Sequence, residues 1–172
     1  MDTGAIPGCS RGCTIRMEST DSSPHAPALG GGSRQQQQDM RDLVNVSPNW
    51  GKSFVKWPVA VDEHNGPNRG GCDRCRGLVT VHTKHARAGQ ADDTIEYYTM
   101  DHFTKFVPNR AQRIDSTANS QILNVAFRNR DGSLVLIAYN DTNAPRAFKV
   151  VWHGRSFAYS LPVNTSVTFR WK

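Results

Sequence analysis

The final third of the chain breaks into short apolar segments separated by turn residues, and this pattern restricts the fold more than any other feature. Six candidate strands cover residues 113–116, 122–128, 134–140, 146–152, 156–161 and 166–171. Residues rich in Asn, Asp, Gly and Pro separate most of them, at 129–132, 140–143, 153–154 and 162–164. Short strands at intervals of about 8–12 residues with such turns are typical of an antiparallel sandwich or barrel. Phe148, Val150 and Trp152 alternate with Lys149 and Val151, so one face of that strand is expected to be the more buried.

The preceding part of the chain predicts a short helix and two further strands. Residues 96–107 place aromatic and apolar side chains three and four positions apart, which indicates a short amphipathic helix ended by Pro108. Residues 53–61 are a nearly continuous apolar run, as in a strand buried on both faces of a parallel sheet, although Pro58 removes a ladder donor. A second short strand is expected at 78–81, and residues 82–93 are expected to be a loop.

Residues 1–38 have the composition of a disordered tail. They combine Gly, Ser and Pro with three consecutive glycines at 30–32 and four glutamines at 35–38. Their few apolar residues follow neither a strand nor a helix period, so little surface is available for burial. From residue 39 the pattern of apolar residues becomes regular, because Met40, Leu43 and Val44 recur at helical spacing.

The charge and hydropathy of the chain restrict its partners and its location. Its 172 residues carry a formal net charge of +6, but the Lys and Arg residues are scattered, which favours a soluble basic surface over a nucleic-acid site. No stretch approaches the roughly 20 apolar residues that a membrane span requires. Because no apolar leader follows Met1, the sequence as written is expected to stay in the cytoplasm.

The four cysteines form two close pairs, Cys9 with Cys13 and Cys72 with Cys75. Together they fit a C-x3-C…C-x2-C zinc pattern, but the first pair lies in the tail expected to be disordered. A local disulfide between Cys72 and Cys75, or two free thiols, is the favoured interpretation.

The histidines do not form a metal-binding or catalytic pattern. His82 and His85 are three residues apart without a matching pair of carboxylates, and His102 lies among aromatic residues on the expected helix, where a packed histidine is favoured. Phosphate-binding loops, dinucleotide fingerprints and nucleophile elbows are missing from the sequence. Neither a metal nor another cofactor is therefore expected.

Several motifs in order resemble glycoside hydrolase family 30. Residues 39–44, 49–53 and Trp57-Pro58-Val59-Ala60-Val61-Asp62 resemble its last barrel helix and eighth barrel strand, where the family strand typically reads Trp-Asn-Leu-Ala-Leu-Asp. Residues 65–77 resemble a loop of the bacterial members, and 97–107 resemble the family element Tyr-Tyr-x-Leu-Gly-His-Phe-Ser-Lys-Phe. Residues 124–141 resemble its β-sandwich. Pro58 in place of Asn and Asp101 in place of Gly depart from the family pattern.

The resemblance predicts an all-β fold in three parts. Residues 63–172 are expected to form an antiparallel β-sandwich with one short helix. Residues 39–62 are expected to be a remnant of the last helix and last strand of a (β/α)8 barrel, and 1–38 a disordered tail. The isolated apolar strand at 54–61 would lower the solubility of a monomer.

The same resemblance implies a retaining glycosidase, glucosylceramidase-like and related to acid β-glucosidase, which uses two carboxylates. Family members are usually secreted or lysosomal. They carry the acid/base in an Asn-Glu-Pro motif on the fourth barrel strand and the nucleophile on the seventh; Asn-Glu-Pro does not occur in this sequence. The chain is therefore expected to be inactive alone. Glucosylceramide, other β-glucosides and β-xylans all remain open as substrates of the parent enzyme.

Two residues are candidates for remnants of the sugar site. Glu18 lies near the position expected for the nucleophile, although a chance acidic residue in a disordered tail is the favoured interpretation. Trp57 corresponds by motif to an aromatic residue at the end of a barrel strand, where a ring can stack on a pyranose. A core tryptophan is the competing and favoured interpretation.

Three functions remain in competition. The first is an accessory sandwich that meets a carbohydrate or glycolipid substrate only when a catalytic barrel is supplied. The second is one half of a split glycosidase, whose partner would be a separate barrel polypeptide. The third is a stand-alone carbohydrate-binding module with exposed aromatic residues; Trp152, Tyr159, Phe169 and Trp171 are the candidates, although their alternation favours burial in a core.

Overall fold

In the computed structural model, which describes residues 14–19, 34–46, 53–117 and 121–172, the strands expected in the last third of the chain join one seven-stranded sheet. Its strands are β1 (Thr14–Ser19), β5 (Gln112–Ser116), β6 (Ile122–Arg128), β7 (Leu134–Asn140), β8 (Arg146–Trp152), β9 (Arg155–Leu161) and β10 (Ser166–Trp171). They lie in the order β10-β7-β6-β5-β1-β8-β9, and every neighbouring pair is antiparallel except β1 with β5. The predicted, mainly antiparallel β architecture is confirmed.

Strand β7 is the best-buried strand of this sheet. All seven of its residues, Leu-Val-Leu-Ile-Ala-Tyr-Asn, are buried, so both of its faces are covered. It pairs along its whole length with β6 on one side and β10 on the other. Its last residue, Asn140, donates its side-chain amide to the carbonyls of Ala144, Leu161 and Pro162, which ties the end of β7 to two loops.

The sheet curls until its two edge strands face each other. Strands β9 and β10 are the outermost strands, yet the Phe157 ring lies 4.9 Å from that of Phe169, and the Tyr159 ring lies 5.2 Å from Phe169. The ring of Trp171 is 6.3 Å from that of Phe157. We call these four residues the aromatic seam. Side-chain packing, instead of a strand ladder, therefore brings the two edges together into a nearly closed, barrel-like sandwich.

Strand β1 corrects the prediction of disorder for residues 1–38. Thr14–Ser19 is a strand between β5 and β8, and its Ile15 and Met17 side chains are buried in the core with Phe148 and Val150. The prediction is also wrong for residues 34–38, which are helical, and the rest of that segment lies outside the described residues. Six residues are too short a run to reveal a period, and the partners of β1 are supplied about 100 residues later in the chain.

A second structural unit comprises residues 32–106, whereas the sheet above belongs to a unit of residues 1–31 and 107–172. The second unit contains α1 (Arg34–Val46), β2 (Ala60–Asp62), β3 (Val79–Val81), a 3-10 turn at His85–Arg87, β4 (Ala91–Asp93) and α2 (Ile95–Thr104). Its three strands lie in the order β2-β3-β4, with β2 parallel to β3 and β4 antiparallel to it. The sequence analysis grouped residues 63–106 with the sandwich. They belong instead to the same unit as residues 39–62, the segment that resembles the last helix and strand of a barrel.

The apolar run at 53–61 is not the buried strand that the sequence predicted. Only its last two residues, Ala60 and Val61, lie in β2, and Val55, Trp57 and Val59 are exposed. Lys56 points the other way and forms an ion pair with Asp39 of α1. Within the described residues β2 has one ladder neighbour, β3, so the residues before Ala60 have no sheet around them to cover both faces.

The turn between β6 and β7 contains Asp131, and this residue makes the stability of the folded protein depend on pH. Asp131 accepts hydrogen bonds from the Ser133 hydroxyl at 2.6 Å and the Ser133 backbone N–H at 2.9 Å, and the Arg170 guanidinium donates to it at 2.8 Å. These contacts, led by the Ser133 hydroxyl, lower the pKa of Asp131 from 3.8 to about 2. A lowered pKa adds stability that is complete above the unfolded value of 3.8 and is lost as the pH falls through about 2.

We therefore expect Asp131→Asn to change the acid dependence of unfolding. The melting temperature of the wild-type protein should exceed that of Asp131→Asn near neutral pH, and the difference should shrink between pH 3.8 and about 2. Thermal melts followed by circular dichroism across that range measure the difference. A difference that stays constant throughout would contradict this role.

Candidate functional site

Trp57 is an exposed aromatic residue ahead of β2. Its side chain is 76% exposed and is flanked by the exposed Val55 and Val59. Of the two sequence interpretations, the described residues do not support a core tryptophan. An indole with its face open to solvent is suited to stacking on the apolar face of a sugar ring.

The loop after β2 is held in shape by Asp62, the last residue of that strand. Asp62 accepts hydrogen bonds from the backbone N–H groups of His64 at 2.8 Å and of Gly66 at 2.7 Å, which forms a tight turn. A Cβ at Gly66 would lie 2.9 Å from an oxygen of the Asp62 carboxylate, so a side chain there would force this contact to shift. Further along, Cys72 and Cys75 are joined by a disulfide, one of the two alternatives that the sequence left open.

A cleft of about 330 Å³ lies at the carboxyl end of β2. Its lining carries both signs of charge and consists of Val61, Asp62, Glu63, Asn65, Arg74, Arg76 and Thr80. Hydrogen bonds from the backbone N–H of Glu63 itself and from the Thr83 hydroxyl lower the pKa of Glu63 to about 2, so this carboxylate is ionised at neutral pH. The carboxyl ends of parallel barrel strands are where barrel enzymes place their substrate sites.

Behind this cleft an ion pair joins the loop to α2. Arg76 Nε lies 3.1 Å from a carboxylate oxygen of Glu96, which is fully buried in the first turn of α2. A carboxylate is favoured there, because the N-terminal end of a helix carries partial positive charge. The pair fixes the position of Arg76, one of the residues that line the cleft.

Glu18 lies in the sheet unit and has a surface position. It is exposed on β1, next to the buried Met17, and pairs in register with Lys149 of β8. Arg16 Nη1 lies 3.9 Å from an oxygen of the Glu18 carboxylate. The structure thus places Glu18 and Trp57 in different units, and their assignment as remnants of one sugar site stays a prediction.

The histidine and cysteine candidates have local partners. His82 Nε2 lies 2.8 Å from Asp92, and the contacts of Asp92 with His82 and then with Arg87 lower the pKa of the Asp92 carboxyl. Burial lowers the pKa of His102. Across the described ranges no three His, Cys, Asp or Glu residues are grouped as a metal site would need; Cys9 and Cys13 lie outside these ranges.

A larger cavity, of about 550 Å³, opens at one end of the aromatic seam in the sheet unit. It is lined by Val150, Trp152, His153, Arg155, Ser156, Phe157, Trp171 and Lys172. Of the four aromatic residues that the sequence proposed for a binding module, Trp152 and Trp171 line this cavity, whereas Tyr159 and Phe169 contact each other in the seam. The sequence analysis did not identify Arg155 and Phe157 as cavity residues. They line the cavity only because the sheet curls and brings β9 to β10, and no pattern of neighbouring residues indicates that curl.

No helix in the part of the chain that the structure describes is long and apolar enough to cross a membrane.

Comparison with known proteins gives consistent matches. Residues 111–169 match the sequence model described as the glycosyl hydrolase family 30 beta sandwich domain. The chain is 30% identical over 130 residues to the endo-1,6-beta-D-glucanase BGN16.3 of Trichoderma harzianum, a match that covers 70% of this chain and 26% of the relative. It is 34% identical over 102 residues to an endo-1,6-beta-D-glucanase of Neurospora crassa, covering 54% and 21%. The chain thus spans about a quarter of the length of these relatives.

Two solved structures are also similar to this chain. The endo-beta1,6-glucanase BT3312 superposes with a TM-score of 0.70 at 29% identity, over 80% of this chain and 31% of that one. SrfJ from Salmonella typhimurium gives a TM-score of 0.75 over 87% of this chain and 33% of that one, and at 23% identity this likeness concerns the fold alone.

Proposed function

Since the chain carries the C-terminal β-sandwich domain of glycoside hydrolase family 30, we propose that it is the C-terminal portion of a retaining β-1,6-glucanase, which completes a catalytic barrel and does not cleave glycosidic bonds alone. The relatives guide the choice of substrate. The two fungal relatives and the solved structure of BT3312 reported above are all named as endo-1,6-glucanases. These names favour a β-1,6-glucan over the glucosylceramide that the motif resemblance first suggested.

The observation that carries the proposal is the exposure of Trp57 next to the cleft-bearing strand β2. An indole that is 76% exposed, between two exposed valines, costs solvation free energy unless another surface covers it. A barrel would cover the valines, and by its place in the family motif the Trp57 ring would form one wall of a glucose subsite. The polar cleft lies further along the chain than Trp57, at the carboxyl end of β2, where barrel enzymes place their substrate.

The chemistry explains why the chain is expected to be inactive alone. A retaining glycosidase needs a nucleophile and an acid/base whose carboxyl groups are about 5 Å apart. The Asn-Glu-Pro motif of the acid/base is missing from the sequence, and the relatives are about four times as long as the matched region. The catalytic pair must come from another polypeptide or from a further part of the same polypeptide. The residues described here supply one wall of the glucose subsite and a sandwich that stabilises the barrel.

A chimera tests the proposal. The matched C-terminal quarter of the Trichoderma harzianum glucanase would be replaced by this chain, and reducing-sugar release would be measured on β-1,6-glucan, on xylan and on glucosylceramide. We expect the chimera to hydrolyse β-1,6-glucan and the chain alone to release nothing. Hydrolysis by the chain alone would contradict the proposal, and so would a chimera active only on glucosylceramide.

Within the active chimera, Trp57→Ala should reduce kcat/KM on β-1,6-glucan by roughly tenfold, the equivalent of about 1.4 kcal/mol of lost stacking. Val55→Ala is the matched control, because Val55 is as exposed as Trp57 in this chain, lies two residues away and would be covered by the same barrel, but carries no ring that can stack on a sugar. The control should stay within about twofold of the parent. Equal kcat/KM values for the two variants would show that the Trp57 ring does not contact the substrate.

A further inference from the structure

The cavity at the end of the aromatic seam belongs to the sheet unit alone. Its floor is Val150, which is buried in the core, and its walls are Trp152 of β8, Phe157 of β9 and Trp171 of β10. Strands β9 and β10 are the outer strands of the sheet and no ladder joins them, so the rolled sheet stays open where the seam ends. The mouth of such a barrel is a common place for ligand binding, and about 550 Å³ lies within the range of about 300–1,000 Å³ that small-molecule pockets occupy.

Polar groups surround this aromatic surface at the rim. A two-residue turn joins β8 to β9, with φ angles of 47° at His153 and 78° at Gly154, and it holds the His153 ring stacked on Trp152 at 4.5 Å. Arg155 and Ser156 follow the turn, and Lys172 lies across the mouth, 4.0 Å from Asp131. Among the described residues the side chain of Arg155 forms no hydrogen bond or ion pair, so its guanidinium donors are available to a ligand.

This combination matches the chemistry of a pyranose. Sugar rings present an apolar C–H face that packs on Trp and Phe, and hydroxyl groups around the ring edge that accept hydrogen bonds from Arg, Ser and Lys. A purely apolar ligand would leave the rim donors unused, and a compact anion would leave three aromatic walls without a partner. None of the lining residues has an acidic side chain.

We propose that this cavity is a carbohydrate-binding site, formed by the sandwich itself, which holds β-linked glucopyranose units. The choice of glucose rests on the proposed function, whereas the site needs neither the barrel nor Trp57. In a glucanase it would hold the polymer at a second place and raise its local concentration at the catalytic centre.

Strand β9 offers a closely matched pair of variants. Phe157 and Tyr159 lie on the same face of β9, both are 40% exposed, and both contact the Phe169 ring. Only Phe157 lines the cavity. Because removal of either ring weakens the seam to a similar extent, a difference in binding reports on the cavity.

The experiment is a calorimetric titration of the full chain with β-1,6-linked glucotetraose, with xylotetraose as the comparison ligand. We expect Phe157→Ala to weaken binding of the glucotetraose about tenfold, with Tyr159→Ala within about twofold of wild type. Arg155→Ala should weaken binding several-fold, and Lys149→Ala, on the neighbouring strand and outside the cavity, should not.

The outcomes separate this site from the proposed function. Equal loss in Phe157→Ala and Tyr159→Ala, no binding by the wild-type chain, or binding of xylotetraose alone would each overturn the proposal. Melting temperatures of the two ring variants show whether both remain folded. Hydrolysis by the chimera does not enter this measurement, so either proposal can fail without the other.

Discussion

Ile15→Ala should lower the free energy of unfolding of the sandwich by about 2–5 kcal/mol. Ile15 lies on β1, is fully buried and belongs to the same core cluster as Phe148, Val150 and Leu161. Its removal would leave a cavity between the two halves of the sheet that β1 joins, and the surrounding strands cannot fill it without breaking their register. Urea unfolding followed by tryptophan fluorescence measures the change, because Trp152 and Trp171 report on this unit.

The neighbouring residue supplies the control. Arg16 is exposed on the same strand, and Arg16→Ala should change the free energy of unfolding by less than about 0.5 kcal/mol. If both variants matched wild type, Thr14–Ser19 would not belong to the fold in solution.

Lys56→Met should cost the second unit about 3 kcal/mol. Lys56 Nζ lies 2.6 Å from an Asp39 carboxylate oxygen, and the two side chains are only 13% and 7% exposed. Methionine preserves the length of the side chain but removes the ammonium, so the buried Asp39 carboxylate loses the cation 2.6 Å from it. The melting transition of this unit should shift accordingly, measured by circular dichroism with increasing urea.

Two further variants separate the charge from the packing. Adding Asp39→Asn to Lys56→Met should restore most of the loss, because position 39 then carries no buried charge. Lys105→Met breaks an exposed pair with Asp101, whose atoms are 3.8 Å apart, and should cost less than about 1 kcal/mol. A Lys56→Met cost no larger than that of Lys105→Met would show that water reaches the buried pair.

The local parts of the fold could be predicted from the sequence. The strands at 122–128, 134–140, 146–152 and 166–171 form with the predicted bounds, because alternation and turn residues are properties of neighbouring positions. Strand β1 could not be predicted, since its six residues become a strand only between β5 and β8. The exposure of Trp57 could not be predicted either, because burial of an apolar run depends on which strands surround it.

The candidate sites could likewise be predicted only where they depend on neighbouring residues in the sequence. The motif singled out Trp57, and Trp152 and Trp171 were candidates for a row of exposed aromatic residues, although their alternation favoured burial in a core. The cavity that Trp152 and Trp171 share with Arg155 and Phe157 depends on how far the sheet curls. Curl is the sum of twists along seven strands, and no single strand records it.

The position of β1 also determines the order in which the sandwich can assemble. The carbonyl of Ile15 accepts hydrogen bonds from Thr117, a partner 102 residues away, and Met17 pairs with Val150 still further along. During translation β1 is made before both of its neighbours, which emerge roughly 100 or more residues later. Until then both edges of β1 have no partner, and closing so long a loop slows folding. The nascent sandwich therefore passes through a stage with two unpaired strand edges, which is when a chaperone would have the most to bind.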